Sequence, residues 1–167
     1  MILKQQWIRD HWMLLFLVLV SQCLFIGAAG SDLLKYDLKA KPGDLTVDRM
    51  PPTGPKSYEE EFVFTVTNPR KMDFNGTAPT SQKFDVEVFF MGVDKKTSVW
   101  KWSAGKVFSQ IVTPVPIPAG KSWSPEEKVV WTFKAADVKD GKYRAVASFI
   151  PTKNKSAFAD FTISSVH

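Results

Sequence analysis

From Asp32 onward, apolar and polar residues alternate with a period of two in one stretch after another, and no helical period is sustained over three turns. Phe62, Phe64 and Val66 share one face of a run that starts behind Glu59, Glu60 and Glu61 and stops at Asn68 and Pro69. Phe84, Val86, Val88 and Phe90 repeat the pattern, with Asp85 and Glu87 on the opposite face. Val129, Trp131 and Phe133 form a third set, Tyr143, Ala145, Ala147 and Phe149 a fourth, and Ala157, Ala159, Phe161 and Ile163 a fifth. Leu34, Tyr36 and Leu38, followed by Leu45 and Val47, predict one or two further strands. Turn and loop signals separate them: Pro51 to Pro55, Asn68 to Thr80, the prolines at 114, 116 and 118 ending at Gly120, and Asp140 with Gly141. This spacing predicts an all-β chain, an immunoglobulin-like antiparallel β-sandwich of about seven to nine strands.

Composition supports one such core and no more. The chain has 167 residues, thirteen Phe and six Trp, which is enough apolar material to stabilise a single domain without covalent staples. Its one cysteine, Cys23, lies in the leading apolar stretch, so the remainder has no disulfide, thiol or Cys-ligated metal. The formal charge of +5 is spread over scattered lysines, and the aromatic residues have the strand-like spacing of buried positions. That distribution argues for solubility and against a nucleic-acid groove.

The first thirty residues read differently. Lys4, Arg9 and His11 precede an apolar stretch from Trp12 to Ala29 that closes with Gly27, Ala28, Ala29 and Gly30. This is the charged, apolar, small-residue order of a secretory signal peptide. Residues 1–30 are therefore expected to be a signal peptide, leaving residues 31–167 as a single exported domain, periplasmic or extracellular. Uncleaved, residues 12–29 are about long enough to anchor the chain in a bilayer, the one route by which a membrane would enter the picture.

Candidate chemistry is sparse. Beyond residue 30 the only histidine is the terminal His167, there is no cluster of metal-ligand types, and no nucleophile has an evident base. Ser103 and Lys106 lie three apart in what reads as an exposed turn, where the lysine would stay charged. Asp137 with Asp140, or Glu59 to Glu61, could be paired carboxylates, and read more simply as a solvated turn and a charged strand entry. The pattern predicts a binding protein, not an enzyme, with no cofactor and no metal. Trp100 and Trp102 share a strand face, either filling the core with Phe108 or forming a ligand platform, and the former is favoured for side chains so large. Thr113, Pro114, Val115, Pro116, Ile117 and Pro118 form the candidate partner-binding loop, because alternate prolines fix the backbone before it meets anything. The bland alternative is an edge strand that uses proline against aggregation.

The run VWKWSAGKVFSQ at Val99 to Gln110 carries a more specific signal. Two tryptophans two apart, then Ser, Gly, Phe and Gln, resemble the BsuPI-type intracellular proteinase inhibitor family. FVFTVTNP at Phe62 to Pro69, SQKFDVEVF at Ser81 to Phe89, PAGKSW at Pro118 to Trp123 and DGKYRAVASF at Asp140 to Phe149 are similar to that family in the same order. The resemblance covers residues 58 to 163 and implies a single β-sandwich whose protein partner is a proteinase. The alternative is a structural or adhesive cell-envelope module without inhibitory activity, and a third possibility, sugar binding, requires Trp100, Trp102, Trp123 or Trp131 at the surface.

Overall fold

The computed structural model describes residues 33–49, 56–153 and 155–166. The segment read as a signal peptide or anchor, the Pro51–Pro55 loop, Asn154 and His167 lie outside the described residues.

Among the described residues the chain forms eleven strands and two single-turn 3-10 segments. The strands are β1 (Lys35–Lys41), β2 (Leu45–Asp48), β3 (Ser57–Thr67), β4 (Phe74–Ala78), β5 (Phe84–Met91), β6 (Lys96–Lys101), β7 (Thr113–Ile117), β8 (Ser122–Trp123), β9 (Val129–Lys134), β10 (Gly141–Phe149) and β11 (Lys155–Val166). The seven alternating runs of the sequence are β1, β2, β3, β5, β9, β10 and β11. The Trp100 and proline segments add β6 and β7, and the short β4 and β8 take the number past nine.

Two sheets make an immunoglobulin-like β-sandwich. In the first, β3 is central: β1 runs antiparallel along one side, while β9 and β8 share the other, β9 along Ser57–Phe62 and β8 at Val66–Thr67. The second has the order β2-β11-β10-β5-β6. A separate two-stranded ribbon joins β4 to β7. One pairing departs from an all-antiparallel arrangement, because β2 lies parallel to β11, Leu45 opposite Ile163. The chain leaves β1 through a short turn at Pro42–Asp44, with Gly43 at φ +95°, and so enters the second sheet at its edge.

The period of two explains which residues meet between the layers. Phe62, Phe64 and Val66 of β3 point inward, and Phe62 packs against Trp100 of β6 and Phe161 of β11. Trp131 of β9 lies against Phe133, Tyr143 and Phe161. Each such ring stabilises the fold by roughly 1.5–3 kcal/mol through burial alone, which is how a domain without a cross-sheet disulfide holds its layers together. Polar groups at the margin are satisfied locally. The Tyr143 hydroxyl donates to the Lys139 carbonyl at 2.7 Å and accepts from the Lys139 N–H at 2.9 Å, four residues upstream, closing a tyrosine corner.

Candidate surface loop and its braces

After β6 the chain makes a tight turn, then crosses the surface without regular structure until β7 begins at Thr113. The turn is over-determined. The Ala104 N–H donates to the Lys101 carbonyl and the Lys106 N–H to the Ser103 carbonyl, both at 3.1 Å, and Gly105 supplies the positive φ of +75° that the turn requires. Asp85 of β5 holds the near end: it accepts from the Ser103 hydroxyl at 2.8 Å and the Ser103 N–H at 3.3 Å, and pairs with Lys101 at 3.3 Å.

Two side chains pin the middle. The Lys106 ammonium sits 3.6 Å from the centroid of the Trp102 ring and 3.3 Å from a Glu127 carboxylate oxygen. Phe108 packs against Trp102, which in turn lies on Phe84 at 4.1 Å between ring centroids. Beyond Phe108, Ser109 and Ser81 exchange two hydrogen bonds of 3.0 Å: the Ser81 N–H donates to the Ser109 carbonyl, and the Ser109 N–H to the Ser81 hydroxyl oxygen. Beneath the loop, Phe84, Trp102, Phe108 and Trp123 wall a cleft of about 390 Å³, rimmed by Lys83, Glu126 and Glu127.

The segment continues into the Thr113–Pro118 stretch, which the structure places as β7 and its exit. Val115 and Ile117 are buried, while Pro114, Pro116 and Pro118 are exposed. Pro116 lies opposite Asn75 and Pro114 opposite Thr77 of β4, so the stretch is both stiff and paired along one side. The far end of β7 is fastened by Asn68, fully buried at the end of β3. Its side-chain amide donates to the carbonyls of Ile117 and Met72, each at 2.9 Å, and its side-chain oxygen accepts from the Arg70 N–H at 3.2 Å.

The other candidate groupings come apart. The Ser103 hydroxyl faces Asp85 and the Lys106 ammonium faces Glu127, so the two do not address each other. Asp137 accepts from the Lys134 N–H. Asp140 instead binds Arg49 and Ser165, whose hydrogen bonds hold its carboxyl down to about 2. Trp102 and Trp131 are buried and Trp100 and Trp123 pack half-buried against the core, so none of the four stands as a platform.

One residue within the Glu59–Glu61 run differs from a solvated strand entry. Glu60 points inward at 0% exposure, accepts the Gly43 N–H on Oε1 at 3.0 Å, and has no hydrogen-bond partner for Oε2 among the described residues. Burial pushes its carboxyl up to about 7, with the Gly43 hydrogen bond opposing and the neighbouring Asp44 charge adding to the rise. The period of two running Tyr58, Glu60, Phe62 was the available signal for this position.

Solved structures similar to this chain are remote in sequence. A β-glucosidase from Listeria innocua in complex with glucose is 8% identical at a TM-score of 0.36, over 78% of this chain and 16% of that one. A CARDB domain from Pyrococcus furiosus in complex with di-metal ions is 17% identical at 0.36, over 80% and 94%. A sporulation control protein from Bacillus subtilis is 10% identical at 0.40, over 81% and 50%. The chain spans about a sixth of the length of the Listeria β-glucosidase, and likenesses at such TM-scores carry no argument about function. No curated protein matches the chain.

The sequence profile of a family described as intracellular proteinase inhibitor, BsuPI, matches residues 48–154. This corrects the expectation of an exported, periplasmic or extracellular protein and its membrane-anchored variant, since the kinship is with inhibitors described as intracellular. The reading of the leader rests on local composition in residues 1–30, outside the matched residues 48–154. By that match over well more than half its length, the chain belongs to the BsuPI family of intracellular proteinase inhibitors.

Proposed function

We propose that this chain is a non-catalytic binding protein that inhibits a proteinase through the continuous segment Ser103–Pro118. The observation that supports this reading is the contrast within the segment. Val107, Ile111 and Val112 are 97%, 67% and 65% exposed, while the residues between and around them are held by packing, ion pairs and backbone hydrogen bonds. Apolar side chains raised on a braced loop carry a solvation cost that a partner removes. The bracing matters as much as the exposure, because a loop already ordered loses little entropy on docking.

Thr113–Pro118 supplies the stem. Its alternate prolines fix the backbone where the loop returns to the body, and Val115 and Ile117 root it in the core. A specific complex on this surface would bury roughly 1,600 Å² in total, more than the loop alone offers, so the exposed prolines and the rim at Glu126 and Glu127 belong to the contact as well. The test is an inhibition assay against endoproteinases of the serine, cysteine and metallo classes. Stoichiometric inhibition of at least one supports the reading, and full activity of all of them at micromolar concentrations of the chain refutes it.

A further inference from the structure

Val107 is the most exposed large apolar residue of the loop, and the side chains on either side of it lean on Trp102. Lys106 is drawn onto the Trp102 ring and Glu127, and Phe108 packs on Trp102. Lys106 and Phe108 thus both contact the Trp102 ring, while Val107 between them faces solvent. Among the described residues, neither backbone group of Val107 makes a hydrogen bond, whereas Lys106 and Ser109 do on either side. An N–H and a C=O left free beside a fully presented side chain are what an enzyme needs to pair with a chain as an added strand, reading the side chain in a pocket.

Resting on the inhibitor reading, we propose that Val107 is the residue that enters the primary specificity pocket of the proteinase. Its partner is then an endoproteinase whose pocket is small and apolar. The only basic side chain in the turn after Lys101 is not available for a pocket that takes cations, since Lys106 is occupied by Trp102 and Glu127. A wide aromatic pocket fits poorly too, because the nearby Phe108 is committed to the cleft. Ile111 and Val112 are also exposed, but they follow the Ser81–Ser109 clamp, and the Thr113 hydroxyl donates to the Ile111 carbonyl at 3.0 Å.

The experiment measures inhibition constants of the parent chain, Val107→Ala, Val107→Asp, Val107→Lys, the double variant Ile111→Ser/Val112→Ser, and the control Val93→Ser, an exposed apolar residue in the turn between β5 and β6 and outside the loop. The enzymes are three serine endoproteinases whose pockets take small aliphatic, aromatic and basic side chains. The parent should act best on the enzyme with the small aliphatic pocket. There, Val107→Ala should weaken inhibition by about 10- to 200-fold, the range for lost methyl groups in an apolar pocket, and Val107→Asp by more. Val107→Lys should lose that target and gain at least about tenfold against the basic-pocket enzyme, while Val93→Ser inhibits like the parent. Melting temperatures should not change, because the side chain touches nothing. A parent that inhibits while every Val107 variant stays within twofold, or that loses its target only through the double-serine change, overturns this assignment and leaves the inhibitor reading standing. A parent that inhibits no proteinase overturns both.

Discussion

Replacing Glu60 by glutamine should stabilise the domain at pH 8 and lose that advantage at pH 5. Glu60 is fully buried, one carboxylate oxygen is satisfied by the Gly43 N–H, and the other has no partner among the described residues. Its folded carboxyl is raised from 4.5 to about 7, so the folded state binds the proton more tightly than the unfolded chain does. For a carboxyl shifted in this direction, the penalty is absent below the unfolded value near 4.5. It grows as the pH rises from there and is complete above about 7. At 1.36 kcal/mol per pH unit the full penalty is about 3 kcal/mol. Glutamine keeps an oxygen for Gly43 and carries no charge, but its amide introduces donors that the pocket does not satisfy, costing about 1–2 kcal/mol. The net expectation is about 1–2 kcal/mol of added stability at pH 8 and a loss of about 0–1 kcal/mol at pH 5, where roughly 0.8 kcal/mol of the penalty already acts. Urea denaturation of both proteins across that interval reads the difference directly, and subtraction cancels groups common to the two. Asp140, held down to about 2, titrates below the window in any case. A difference between the proteins that is flat from pH 5 to 8, or a glutamine variant less stable at pH 8, would refute the reasoning.

Three further outcomes are expected. Trp102→Ala should cost on the order of 3–5 kcal/mol by calorimetry or denaturant melts, since it removes the surface shared by Phe84, Phe108 and Lys106, and it should loosen the loop as well. Asn68→Ala should cost about 2–3 kcal/mol, because the carbonyls of Ile117 and Met72 lose their donor in a buried place, and hydrogen exchange should rise selectively along β7. Replacing Pro114 and Pro116 together by glycine should weaken inhibition while leaving the circular dichroism spectrum unchanged, as both rings are exposed and Val115 and Ile117 keep the strand in place.

The strands that the sequence reveals are those with a large apolar residue at every second position and solvent on the other side. β4 lacks that contrast: its inward residues are Phe74, Gly76 and Ala78, two of them too small to register as apolar. Gly76 is dictated by packing, since a Cβ there would meet the Phe74 ring at 2.5 Å and Pro151 at 2.8 Å. β8 is only two residues long, and neither it nor β6 is marked by burial at alternate positions. Of the surface loop, the turn at Gly105 and the shared packing of Trp102 with Phe108 follow from residue type and spacing. What spacing does not contain is the outward aim of Val107, because an irregular segment has no period, and its braces come from Asp85, Ser81 and Glu127, distant in the chain. The same holds for Asn68, visible as a turn residue but not as the fastening of a strand some fifty positions later.

The central claim is that a proteinase is blocked by the segment Ser103–Pro118, and a titration with a loop-replaced chain tests it most directly. Residues 105–111 are exchanged for glycine and serine at equal length, and the parent and this variant are titrated side by side against the most strongly inhibited proteinase. The parent should reach equivalence near one chain per enzyme, and the variant should inhibit at least about a hundredfold more weakly while its melting transition remains cooperative. Equal inhibition by the two proteins would contradict it.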